Sequence, residues 1–170
     1  RRLSEKKSKR LGYCKFAGFK KLFHNKVDRC QSRIKFINAP ESLNISDLSM
    51  ALCKISDSYG RTIHRLNYEF VSRERILEIN AIHLNHNYET DIITFDYCEN
   101  DRVFGEMFMC IDVILDNAVE IKVDSEVEVK RVVFHGLLHL LGFKDKSLNE
   151  MNIMREKEEE CLKLIAGVHE

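Results

Sequence analysis

The chain has 170 residues, 44% of them apolar, with one proline, seven glycines and a formal net charge of zero. This length suits one domain around one core, and the scarcity of proline and glycine excludes a turn-dense all-β architecture. No apolar run approaches the ~18 residues that a transmembrane helix needs, so no membrane partner is expected.

Charge is unevenly distributed. Residues 1–30 hold 11 Lys/Arg and 2 Asp/Glu, leaving 16 and 25 for the remainder. A basic arm thus precedes an acidic body, and the expected division is an extension over 1–31 and a folded domain over 32–170. Two readings of the arm stand side by side. It is an electrostatic contact for nucleic acid, or a disordered or non-native extension, since the chain begins with Arg1 rather than Met. The cysteines are Cys14, Cys30, Cys53, Cys98, Cys110 and Cys161. They include no CxxC pair, and no cleavable signal precedes them. Free thiols in a reducing cytoplasm are therefore expected.

Residues 33–38 alternate and predict a first strand, ended by Pro40. A helix follows over 46–58, with Leu48, Leu52 and Ile55 at helical spacing, Ser46 or Asp47 as its cap and Gly60 closing it. The β-branched and aromatic stretch 62–71 predicts a second strand. Ser72 caps the next helix, whose apolar stripe is Ile76, Ile79 and Ile82 or His83. A polar loop occupies 85–89. Strands over 91–97 and 103–112 are joined by a hairpin turn at Glu99-Asn-Asp, and a short helix covers 113–121.

Ser125-x-x-Glu128 has the form of a capping box and starts a helix running to Gly142. This helix is apolar around most of its circumference, which marks it as the central buried one. Ser147-x-x-Glu150 opens a last, charged helix that ends near Ile165. The element order predicts an α+β domain, a small mixed sheet of about four strands packed with about five helices.

His135 and His139 are four residues apart and project from one face of the central helix. Two imidazoles in that arrangement form half of a tetrahedral zinc site. Gly142 can take positive φ and reverse the chain, and Asp145 then folds back as a third, carboxylate ligand. Three protein ligands leave a fourth position open, the mark of a catalytic rather than a structural ion. The spacing overlaps the HExxHxxGxxH pattern of zinc proteases, but position 136 is Gly where a protease needs its general-base Glu.

HGLLHLLGF, followed by a charged turn and an acidic helix, resembles the YbeY family of bacterial rRNA-maturation endoribonucleases. Thr90-Asp-Ile-Ile-Thr-Phe95 and Gly105-Glu-Met-Phe-Met-Cys110 resemble two of its strands, in the family order, and the likeness runs over about residues 32–165. The resemblance implies a cytoplasmic, zinc-dependent endoribonuclease specific for single-stranded RNA. It would act in 16S rRNA 3′-end processing and ribosome quality control. Its partners would be rRNA and the small ribosomal subunit, with ribosomal proteins or an assembly GTPase; DNA is not expected.

This chain departs from the family at three positions. Asp145 stands where the family has its third histidine, Leu84 aligns with a family arginine, and Glu89 replaces a common proline. No general acid or base is identifiable. Arg131, Glu106 and Lys144 are the catalytic candidates, beside Asp91, Asp96 and Lys146. Phe104, Phe108 and Phe143 are either base-stacking rings or core. The alternatives to a nuclease are a ribosome-assembly factor with a structural metal, favoured by the missing arginine, and a metalloprotease.

Overall fold

The computed structural model describes residues 28–84 and 88–166. The basic arm up to residue 27, and most of the polar loop 85–89, lie outside them. After helical residues 28–31 come β1 (Ile34–Ile37), α1 (Ile45–Ser58), β2 (Thr62–Val71), α2 (Arg73–Leu84), β3 (Ile92–Asp96), β4 (Arg102–Cys110), α3 (Ile111–Ile121), α4 (Ser125–Leu140) and α5 (Leu148–Ala166). Among the described residues no helix is long and apolar enough to cross a membrane.

The strands form one sheet in the order β1-β2-β4-β3, with β1, β2 and β4 parallel and β3 antiparallel to β4. This is the α+β arrangement with a small mixed sheet that the element order predicts. Asn100, at φ 54°, makes the tight β3–β4 turn. An amide side chain bonds locally to its own backbone and so tolerates that left-handed conformation.

Strand alternation gives the sheet two different faces. Val103, Gly105, Met107 and Met109 of β4 are buried on the α4 side. On the other side, α2 lays Ile76 and Ile79 over Ile93, Phe95 and Phe108. Ile82 does not belong to that stripe, being 74% exposed. His83 meets the Phe95 ring edge-on at 5.2 Å instead.

Helix α4 is the central one, with Val129, Val132, Val133, Phe134, Leu137, Leu138 and Leu140 all buried. The buried Tyr68 hydroxyl donates to the Val133 carbonyl at 3.1 Å, and burial pushes its pKa up. Two glycines let helix and sheet approach closely. A Cβ at Gly105 would meet Leu140 Cδ1 at 2.5 Å, and one at Gly136 would stand 2.9 Å from Ile92 Cδ1 and 3.1 Å from Met107 Cγ. Gly136→Ala should therefore overpack this layer and lower stability by about 1–3 kcal/mol in urea denaturation.

Three expectations are corrected. First, α1 is capped by Asn44, whose Oδ1 accepts from the Asp47 N–H, not by Ser46 or Asp47. Second, α4 is capped by Asp124, whose carboxylate accepts from the N–H groups of Glu126 and Val127. Ser125 is already helical, and Glu128 is buried against Arg131 rather than closing a capping box. The Ser147–Glu150 box does form, with Glu150 N–H donating to Ser147 Oγ and Ser147 N–H to Glu150 Oε2. Third, Cys30 and Cys53 are not free thiols but form a disulfide. The helical residues 28–31 pack beside α1 and bring together two cysteines 23 positions apart, a pairing that no close spacing announces. Cys98, Cys110 and Cys161 are free, as expected.

Candidate metal centre

His135 and His139 lie on the last two turns of α4, on the side that faces α5 and the open turn. Helical geometry stacks them with ring centroids 4.4 Å apart. Gly142, at φ 99°, ends the helix and turns the chain. Asp145 then comes back over both rings, with Oδ2 3.6 Å from His135 Nε2 and 3.5 Å from His139 Nε2. The two Nε2 atoms are 2.9 Å apart.

These distances fit a divalent ion. Bonds of 2.0–2.1 Å arranged tetrahedrally place neighbouring ligand atoms about 3.3 Å apart, close to the 2.9, 3.5 and 3.6 Å found. The outer nitrogens are already engaged. His135 Nδ1 donates to Glu158 Oε1 at 2.6 Å and His139 Nδ1 to the Phe143 carbonyl at 3.0 Å. In the neutral tautomers each Nε2 is left as a bare lone pair directed at the other and at a carboxylate, an arrangement that a cation satisfies. Burial, together with the neighbouring His135, lowers the pKa of His139 and favours the neutral, ligating form.

Glu158 escapes a reading of the sequence, yet it organises the back of the site. It is buried on α5, accepting from His135 and, at 3.0 Å, from Arg131 Nη1. Burial pushes its pKa up, but the His135 hydrogen bond and the Arg131 charge outweigh this and hold the carboxyl below its ordinary range. Its sequence signal is its phase on the last helix. Met154, Glu158, Cys161 and Ile165 form one buried stripe, so this acid alone in a run of glutamates points inward.

The catalytic candidates fare differently. Arg131 lines a cleft of about 620 Å³ between α3, α4 and α5, together with His135, Asp145 and Arg155. Its guanidinium is held between Glu128 and Glu158. Lys144 and Lys146 are exposed on the turn flanking Asp145. Glu106 alternates with residues packed under α4, so it lies on the opposite face of the sheet, where Asn67 Nδ2 donates to it at 3.4 Å. The structure does not bring it to the histidines. Asp96 accepts from the Cys98 N–H at the hairpin. Glu89 and Asp116 both pair with Arg73, tying the segment before β3 to α2 and α3. Leu84 is the last residue of α2. Phe108 lies under α2, Phe143 packs edge-on to Tyr59 at 5.6 Å, and Phe104 remains half-exposed.

Two imidazoles and a carboxylate around an open position, on a helix buried against a mixed sheet, define the class of metal-dependent hydrolases. The family model described as Endoribonuclease YbeY matches residues 28–166, and the chain belongs to that family. Among proteins named Endoribonuclease YbeY, that of Phocaeicola vulgatus is 42% identical over 113 residues, 66% of this chain and 82% of the relative. Those of Bacteroides thetaiotaomicron and Flavobacterium psychrophilum are 44% and 46% identical, covering 64% and 63% of this chain and 79% and 76% of the relatives. A solution structure from Thermotoga maritima superposes with a TM-score of 0.60 at 29% identity, covering 79% of this chain and 89% of that one. Membership makes the chain a metal-dependent endoribonuclease.

Proposed function

We propose that this endoribonuclease cuts single-stranded RNA in rRNA maturation, late in small-subunit assembly at the 16S 3′ end, and in ribosome quality control. We further propose that it uses one zinc ion and works in the cytoplasm. The observation that carries the reading is the convergence of His135 Nε2, His139 Nε2 and Asp145 Oδ2 within 4.8 Å of one another, with both imidazoles oriented from behind. The set of two nitrogens and one oxygen suits zinc and leaves one side free for substrate. The endoribonuclease activity is supported by the likeness to relatives named as endoribonucleases, and the ribosomal role is what the resemblance of the sequence motifs implies.

When bound, zinc supplies Lewis-acid polarisation of a phosphoryl oxygen and lowers the pKa of a water ligand toward ~7. The chain's own residues set the conditions for that chemistry. Glu158 keeps the proton of His135 on Nδ1, and the Phe143 carbonyl does the same for His139. Arg131 bridges Glu128 and Glu158 and so fixes the carboxylate that stands behind His135. Lys144 and Lys146, exposed beside Asp145, can meet substrate phosphates.

Proteolysis through the same ligands is disfavoured by packing. Position 136 faces Ile92, Met107 and Thr94 in the helix–sheet layer. A general-base Glu at that position would be buried against the sheet and away from the histidines.

The test combines metal content with cleavage of single-stranded RNA by the full chain, wild type and Asp145→Ala. Near-stoichiometric zinc in the wild type is expected, with metal affinity and cleavage both falling at least about tenfold in the variant, as loss of a ligand requires. Zinc without metal-dependent cleavage in the wild type would point to an assembly factor with a structural ion.

A further inference from the structure

Among the described residues the sheet face opposite α4 is only partly covered. Strand register orders its outward residues in rows. Ile37, Glu69, Phe108 and Ile93 form the row nearest α2, then Lys35, Asn67, Glu106 and Phe95, and finally Arg65 and Phe104 with Tyr97 beside them. Helix α2 packs on Ile93, Phe95 and Phe108, and no other described helix covers the last row.

That open row is cationic and aromatic. The Arg65 guanidinium lies over the Phe104 ring at 4.5 Å, and Tyr97, 46% exposed, packs against the same ring at 5.3 Å. Arg102 reaches the His64 ring at 2.9 Å, where a bulge between Ile63 and Arg65 pushes that histidine out of register. Lys35 on β1 and Arg33 just before that strand border the row. None of these four cations has a carboxylate partner among the described residues. In a body that carries 16 Lys/Arg against 25 Asp/Glu over residues 31–170, four cations without carboxylate partners are thus gathered around one exposed aromatic pair.

We infer that this open row is a binding platform for single-stranded RNA. It rests on the nuclease reading above and deepens it. Bases stack on Tyr97 and on the Arg65 guanidinium that lies over Phe104, while Arg33, Lys35 and Arg102 hold the backbone, a combination that suits unpaired strands because their bases are free to stack. The platform lies at the metal-bearing end of the molecule. Leu140, next to His139, packs over Gly105, and Cys98 Sγ contacts both the Leu140 and the Phe104 carbonyls, at 3.5 and 3.7 Å. The platform also accounts for RNA recognition by a chain whose metal cleft is lined mostly by paired or acidic groups.

The chain contains no tryptophan, so a full-length, zinc-loaded Tyr97→Trp variant carries a single reporter in the platform. Its emission should be quenched saturably by 2′-O-methylated oligouridylate and much less by a duplex of equal length. The variant Arg65→Gln/Tyr97→Ser/Arg102→Gln should bind a fluorescein-labelled form of that oligouridylate at least about tenfold more weakly. Its log–log salt slope should be shallower by about 0.7 per cation removed, and it should hydrolyse bis(p-nitrophenyl) phosphate, which is too small to span both places, at the wild-type rate. Unchanged affinity and slope with RNA cleavage intact would overturn the platform and leave the nuclease standing. Quenching and weakened binding in a protein that cleaves no RNA would support the platform and overturn the nuclease.

Discussion

His139→Ala is expected to strip the site of its ion and to lower RNA cleavage by about a thousandfold while the chain stays folded. His139 supplies one of the three converging ligand atoms, and its ring is only partly buried. Lewis-acid stabilisation is worth several kcal/mol, and 1.36 kcal/mol corresponds to a factor of ten in rate. The structural loss is much smaller, because the Phe143 carbonyl that accepts from His139 sits at the open turn, where water can replace the donor. Metal content, circular dichroism and cleavage measured together check this. Unfolding of the variant would instead mark the ion as structural, since a structural zinc contributes about 10 kcal/mol or more to folding.

Glu158→Ala should produce two separable losses. The side chain is buried and serves Arg131 and His135 at once. Removing it leaves a partly buried guanidinium with Glu128 alone, and breaking such a pair costs about 3–5 kcal/mol. It also frees His135 Nδ1 from its acceptor, and loss of an outer partner of a ligating histidine lowers metal affinity about 10–100-fold. Glu128 is itself buried against Arg131, so adding Arg131→Met and Glu128→Leu together removes both charges of the remaining pair, and the triple variant should regain stability in urea denaturation. It should not regain zinc affinity, because His135 remains unanchored. Recovery of both together would mean that Glu158 acts on the metal only through stability.

The elements and the ligands were legible for different reasons. β2 begins and ends where its β-branched and aromatic residues do, and α4 announced itself through apolar residues on nearly every side. His135, His139 and Asp145 were legible because helix period and a glycine turn are local rules. What escaped was set by longer-range packing or by competing local chemistry. Asn44 and Asp124 displaced the expected caps because an Asx side chain two positions before Ser46 in the first case, and one before Ser125 in the second, reaches the first free N–H groups sooner. Glu158 was hidden among neighbouring acids, and only the docking of α5 on α4 singles it out. The Cys30–Cys53 link depends on residues 28–31 lying against α1, which spacing alone does not encode.

The paired glycines at the helix–sheet contact have a consequence for how the centre can change over time. With Leu140 seated on Gly105 and Gly136 on Met107, α4 is indexed to the strands at two points, much as a key is by its notches. Sliding or turning the helix would drive a side chain into a strand at one of them. A single-residue insertion between Gly136 and His139 would rotate the later histidine by about 100° away from its partner. Substitutions of the ligands themselves, such as an aspartate for a histidine at the turn, leave that indexing untouched. The centre can therefore exchange donors readily while its direction stays locked to the sheet.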